Sequence, residues 1–129
     1  MNTSEKVKYI SNWIKTYIDQ MPNKAESLVI GISGGIDSSV SSTLSALTGL
    51  KTIVLSMPIK QITTQHDLSI KHQEWLINKF KNVEAYTINL DELFLTFSSS
   101  LSNFNNEHGM ANSRARLRMT TLYQVAAAN

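Results

Sequence analysis

Ser27-Leu28-Val29-Ile30-Gly31-Ile32-Ser33-Gly34-Gly35-Ile36-Asp37-Ser38-Ser39 is the stretch that decides the fold. Residues 27–33 are a short, continuous apolar run of the kind that makes a buried parallel strand. Gly34-Gly35 turns the chain, a Ser/Thr-rich helix follows over residues 36–48, and Gly49 stands where a helix C′ residue belongs. The two glycines permit positive φ and let backbone approach a ligand closely. Amides left free at the helix start, together with the helix dipole, make an anion site. Ser33, Ser38 and Ser39 add hydroxyl donors. Asp37 would repel a phosphate unless a cation lies between them, and Mg²⁺ shared by a carboxylate and phosphate oxygens resolves that conflict.

The same alternation extends outward. Before the loop, Val7, Ile10, Ile14, Tyr17, Ile18 and Met21 fall at helical spacing over residues 3–21, with Thr3 or Ser4 as N-cap and Pro22-Asn23 as the stop. After it, residues 51–57 read as a second apolar strand closed by Pro58. Residues 64–80 form a helix that buries Leu68, Trp75, Leu76 and Phe80, and residues 83–90 a third strand. Asp91 caps a helix running through Leu93, Phe94 and Phe97. Residues 98–109 are polar and read as a loop, and residues 111–128 form the last helix. Strand and helix alternating in this way predict an α/β fold, a parallel sheet flanked by helices on both faces. Ligands in such sheets bind beyond the carboxyl ends of the strands, here at residues 33–39, 56–64 and 90–91.

Composition narrows the function. The 129 residues, 42% hydrophobic and 17% charged, describe one globular domain. Without cysteine there is no disulfide framework, thiolate metal site or cysteine nucleophile. A net charge of +2 does not call for nucleic acid or a membrane surface. No apolar run approaches the roughly 18 residues of a membrane span, and the start is polar, so a cytoplasmic protein is expected.

Other loop types fit less well. No lysine follows the glycines as a Walker A loop requires, and the G-x-G-x-x-G spacing is absent. Gly31-Ile32-Ser33-Gly34-Gly35 satisfies the G-x-S-x-G nucleophile elbow, with Asp91 and His108 in triad order. That elbow normally follows several strands, whereas here it follows the first. A glycine turn without a ligand would not need Asp37 and the surrounding serines.

Residues 33–38, Ser-Gly-Gly-Ile-Asp-Ser, resemble the pyrophosphate loop of the N-type ATP pyrophosphatases, or PP-loop enzymes. These include NAD, GMP and asparagine synthetases and several tRNA-modifying enzymes. The resemblance implies an adenine-nucleotide α-hydrolase-like (Rossmann-like) fold. It also implies cleavage of ATP between the α- and β-phosphates, with adenylation of the acceptor. Asn112-Ser113-Arg114-Ala115-Arg116-Leu117-Arg118-Met119 resembles the Asn-x-x-Ala-Arg-x-Arg-Met helix of ammonia-dependent NAD synthetases. The glycine usually beside that Asn is displaced to Gly109. The resemblance implies that Gly31, Ile32, Ser33, Gly34, Gly35, Ile36, Asp37 and Ser38 line the ATP site. It further implies that Asp37 binds Mg²⁺ and Arg116 contacts deamido-NAD. The implied reaction joins ammonia to deamido-NAD with release of AMP and pyrophosphate, in a homodimer that binds neither nucleic acid nor membrane. Family members are longer, so residues 1–129 are expected to be the N-terminal portion of a single domain, inactive alone. Another PP-loop ligase or tRNA-modifying enzyme, and a nucleotide-binding module without activity, remain the alternatives.

The remaining candidates are simpler. Arg114 and Arg118 share a helix face, suited to salt bridges or to substrate, and Arg116 points elsewhere. His66 and His72 are six apart, too far for the helical i, i+4 metal pair. His66 could cap or meet nucleotide, and His72 reads as a partly buried helix residue. Trp75, Phe80 and Phe94 read as core, Asp91 and Glu92 as helix-capping residues, and Met57 as an adenine edge.

Overall fold

The computed structural model describes residues 1–59 and 63–129. Its elements run α1 (Thr3–Asp19), β1 (Leu28–Gly31), α2 (Ile36–Leu47), β2 (Thr52–Ser56), α3 (Thr63–Lys79), β3 (Val83–Thr87), α4 (Asp91–Ser100) and α5 (Glu107–Ala128), with a 3₁₀ turn at Ser102–Phe104. Among the described residues the three strands form one parallel sheet in the order β1-β2-β3. The expected α/β fold is therefore present, with helices on both faces.

The central strand explains the layering. Every residue of β2 is buried, and its side chains alternate between two different environments. Ile53 and Leu55, continued by Met57 and Ile59, pack against Phe94 of α4 and Leu117, Leu122 and Val125 of α5. On the other face Val54 meets Ala46 of α2 and Leu76 of α3. Each fully buried Leu or Ile contributes about 1.5–3 kcal/mol. Thr52 and Ser56 share the α2–α3 face and satisfy their hydroxyls there. Thr52 Oγ1 donates to Ser45 O at 3.3 Å, and Ser56 Oγ lies 2.9 Å from Ser69 Oγ.

That polar face changes which side of α3 is buried. Ser69, Gln73 and Leu76 are buried, and Gln73 Nε2 donates to Val54 O and Tyr86 O at 3.3 and 3.0 Å. Leu68 and Trp75, expected inside, are 48% and 44% exposed. Phe80 is half-buried against the same cluster and Phe94 is fully buried. The apolar spacing misleads because two polar side chains bond to the sheet and claim the inner stripe.

Other boundaries shift for local reasons. Asn2, not Thr3 or Ser4, caps α1 in a capping box: Glu5 N–H donates to Asn2 Oδ1 at 2.8 Å, and Asn2 N–H to Glu5 Oε2 at 3.2 Å. The helix stops at Asp19, before Pro22. β1 is half-buried because it lies at the sheet edge. Asp91 is the first residue of α4 and not its cap; its N–H donates to Asn89 Oδ1 at 2.8 Å. Residues 98–109 are mostly helical. Ser98 and Ser100 hydroxyls bond back to Phe94 O and Thr96 O, and Asn106 caps α5 by accepting from Gly109 N–H at 2.8 Å. Gly49 follows α2 at φ +78, as its C′ placement requires.

Asn82 fastens the far end of α2 to the sheet, its Nδ2 donating to Ala46 O at 2.9 Å and Leu50 O at 2.7 Å. Asn82→Ala removes one of two donors from each carbonyl, Gly49 N–H and Thr52 Oγ1 remaining, and the loss of the two bonds is expected to cost about 1–3 kcal/mol. Urea unfolding followed by circular dichroism checks this, as a lowered midpoint with an unchanged slope.

Candidate functional site

The site begins at the carboxyl end of β1. Ile32 N–H donates to Leu55 O at 2.7 Å, extending the sheet by one residue before the chain turns. Gly34 then adopts φ +95. A β-carbon there would lie 2.4 Å from Gln65 O of α3. The turn thus requires glycine for its dihedral and for its packing. Gly31 is tight for a milder reason, since an added β-carbon would meet the movable Met57 methyl at 3.0 Å.

Serine hydroxyls hold the loop. Ser33 N–H donates to Ser38 Oγ at 3.1 Å, the two hydroxyls lie 3.2 Å apart, and Gly35 N–H donates to Ser33 Oγ at 3.2 Å. Ser38 and Ser39 hydroxyls donate to Gly35 O at 3.3 and 2.9 Å. Gly35 occupies the N-cap of α2, and among the described residues no side chain caps the helix. The first-turn amides of an uncapped helix point toward its mouth and carry roughly half a positive charge with the dipole. Asp37 sits exposed in that first turn.

The opposite wall comes from α5. Arg118 Nε donates to Met57 O at 3.0 Å, a bond that carries the guanidinium across to the end of β2. Gly31, Ile32, Ser33, Gly35, Ser38, Met57 and Arg118, with Gln65, Met119 and Leu122, line one open cavity of about 600 Å³. Burial, and then the Arg114 charge, lower the Arg118 pKa from its ordinary value. Among the described residues no carboxylate forms an ion pair with it. A half-buried cation and an uncapped helix terminus therefore face one cavity, an arrangement that suits phosphate or carboxylate oxygens.

The other candidates separate around this cavity. Arg114 lies over the Phe94 ring, 5.4 Å from its centroid. Arg116 is exposed and, with Phe94, Phe97, Ser113, Leu117 and Thr120, lines a second cavity of about 580 Å³ between α4 and α5. Gly34, Ile36 and Asp37 border the loop without lining the first cavity. His66 is half-buried, and its Nδ1 is buried with no hydrogen-bond partner among the described residues. His72 Nε2 lies 2.9 Å from Ser42 Oγ, and its ring stacks on Trp75 with centroids 5.6 Å apart. His108 is exposed at the start of α5, where its ring contacts Asn112, and forms no triad with Ser33 and Asp91. Of the expected ligand-binding stretch 56–64, residues 60–62 lie outside the described residues. Arg118 was legible only as one of two alternatives; the bond to Met57 O that aims it depends on a contact across 61 residues of sequence.

Among the described residues no group of three or more His, Asp or Glu side chains gathers to hold a metal. A single carboxylate at the mouth of a phosphate cradle still fits Mg²⁺, which keeps several waters and takes one or two carboxylates beside phosphate oxygens.

A sequence profile of the NAD synthase family matches residues 6–129. The chain belongs to that family. It is 37% identical over 134 aligned positions to an NH(3)-dependent NAD(+) synthetase of Mesoplasma florum, covering 100% of this chain and 52% of the relative. Its fold superimposes on an NMN synthetase from Francisella tularensis with TM-score 0.87 at 33% identity, covering 99% of this chain and 51% of that one. An NH3-dependent NAD synthetase from Campylobacter jejuni, solved with a nitrate ion, gives TM-score 0.83 at 25% identity and coverages of 99% and 53%. The chain spans about half the length of these family members.

Gly34 provides a direct check on the loop. Gly34→Ala meets both a positive φ and the Gln65 carbonyl at 2.4 Å, whereas Gly49→Ala meets a positive φ with nothing within 4 Å. Gly34→Ala is expected to cost about 1–3 kcal/mol and Gly49→Ala about 1–2 kcal/mol. In amide NMR spectra only the former should displace the Gly35 and Ser38 resonances.

Proposed function

We propose that residues 1–129 form the N-terminal, nucleotide-binding portion of an ATP-dependent, ammonia-using NAD synthetase domain. The observation that carries this reading is the convergence of the uncapped α2 terminus and the half-buried Arg118 on one cavity, at the carboxyl edge of a parallel sheet. Family membership supports it.

In this reading Gly31, Ile32, Ser33, Gly34, Gly35, Ile36, Asp37 and Ser38 bind ATP. The loop amides and the Ser33 and Ser38 hydroxyls receive the β- and γ-phosphates, which leave as pyrophosphate. Arg118 steadies oxygens at the other wall. Mg²⁺, held by Asp37, supplies neutralisation of charge on the phosphates. The acceptor carboxylate of deamido-NAD attacks the α-phosphorus, the α–β bond breaks, and the acyl adenylate forms. Ammonia then displaces AMP and leaves the carboxamide. No side-chain nucleophile is needed, so positioning and electrostatics carry the catalysis. Arg116 contacts deamido-NAD from the α4–α5 cavity. The whole protein is taken to be a cytoplasmic homodimer. The likeness to an NMN synthetase favours a second reading, in which the amidated carboxylate belongs to a mononucleotide.

Titration calorimetry with ATP, with and without Mg²⁺, tests the site. Asp37→Ala should remove the enhancement by Mg²⁺. Arg118→Gln loses a charge-assisted interaction of about 1.5–3 kcal/mol, so the Kd should rise roughly ten- to a hundredfold. Unchanged Mg²⁺ dependence and affinity in both variants would contradict the assignment. Amide formation by the full-length protein from deamido-NAD against nicotinate mononucleotide, each supplied with ATP and ammonia, decides between the acceptors.

A further inference from the structure

We propose that His72 is a positioning residue for the phosphate loop, acting through Ser42 and Ser39 without touching the ligand. The proposal rests on reading residues 31–38 as a phosphate cradle.

Ser42 is completely buried on the side of α2 that meets α3. Its Oγ lies 2.9 Å from His72 Nε2 and donates to Ser39 O at 3.1 Å. Ser39 continues the path, its N–H and hydroxyl both donating to Gly35 O, at 3.3 and 2.9 Å. Ser38 donates to the same carbonyl and accepts from Ser33 N–H. A line of hydrogen bonds thus runs from α3, through the second and first turns of α2, into the loop.

The choice of residues is not explained by packing. Serine is a middling helix former, and burying a hydroxyl against an imidazole gains little over an apolar pair of the same shape. What the polar pair provides is register, because a directional bond permits one axial placement of α2 on α3. The ring itself is held by stacking on Trp75. Burial keeps its pKa below the usual imidazole value, opposed by the Ser39 carbonyl, so the neutral ring is the form that meets Ser42. α3 also carries Gln65, whose carbonyl closes on Gly34. One helix therefore sets the loop from two sides, through Gln65 at its turn and through His72 at the helix behind it. Anion-binding amides lose effect when displaced by about half an ångström, so register at this contact governs affinity.

The test is calorimetry of Mg·ATP binding to the folded chain, with urea unfolding on each variant. His72→Leu keeps bulk and loses the bond, while Ser42→Ala loses it from the other side. Each should weaken binding about fivefold, as expected for one hydrogen bond. The double variant should be no weaker than either single one, since both break the same link. His72→Gln, which can place a polar atom near the Nε2 position, should restore affinity to within roughly twofold. Asn82→Ala should lower stability and leave affinity unchanged, separating loop positioning from general loosening. Wild-type affinity in His72→Leu, with the Mg²⁺ enhancement still lost in Asp37→Ala, would overturn the inference and leave the site intact. Equal weakening by Leu and Gln would overturn it as well. A folded wild-type chain that fails to bind Mg·ATP would overturn the loop reading and this inference with it.

Discussion

The positive end of α2, with no side-chain cap among the described residues where β1 ends, is the constraint around which the site is built. A helix start normally satisfies its free amides with a Ser, Asp or Asn side chain. Here the cap position is Gly35, and the nearby hydroxyls of Ser38 and Ser39 are directed to its carbonyl. The donor capacity of the first turn is thereby kept for something outside the chain. Arg118 adds a second demand of the same sign, a half-buried guanidinium that among the described residues is hydrogen-bonded to the Met57 carbonyl and paired with no carboxylate. Two electropositive features sharing one cavity are stabilised together by an anion and repel one another's surroundings without it.

The rest of the fold keeps these two features opposite each other. β2, buried along its whole length, separates the face that packs α2 and α3 from the face that packs α4 and α5. The loop packs closely on Gln65 of the first face and is tied to α2 by the serine network, and Arg118 reaches the cavity from the second face across the end of β2. The cavity therefore exists only when both faces are packed. Asn82 bonds to the far end of α2, whereas Ser42 and His72 are joined by hydrogen bonds that lead toward the loop.

Sequence reading recovered the strands, the order of the helices and the glycine turn, because each depends on local periodicity or on a backbone requirement. Ser33, Gly34, Gly35 and Ser38 stand together in the structure as they do in the sequence. What local pattern could not supply was partner choice. Gln73 and Ser69 take the inner stripe of α3 because sheet carbonyls and Ser56 await them, and this displaces Leu68 and Trp75 outward. Residues 98–109 looked like a loop because their serines and asparagines favour turns, yet those side chains bond back to helix carbonyls or cap α5. Spacing set Arg116 apart from Arg114 and Arg118 but left those two equivalent. Tertiary contacts distinguish them, one over Phe94, one beside the α4–α5 cavity and one against Met57 O.

The central claim is that the α2 terminus and Arg118 bind one phosphorylated ligand together. The most direct measurement is mapping of Mg·ATP onto the ¹⁵N-labelled chain by chemical-shift perturbation. Saturable shifts are expected in the amides of residues 33–39 and in the Arg118 Nε resonance, with a common Kd. Shifts confined to the α4–α5 cavity, or loop shifts that leave Arg118 unmoved, would contradict it.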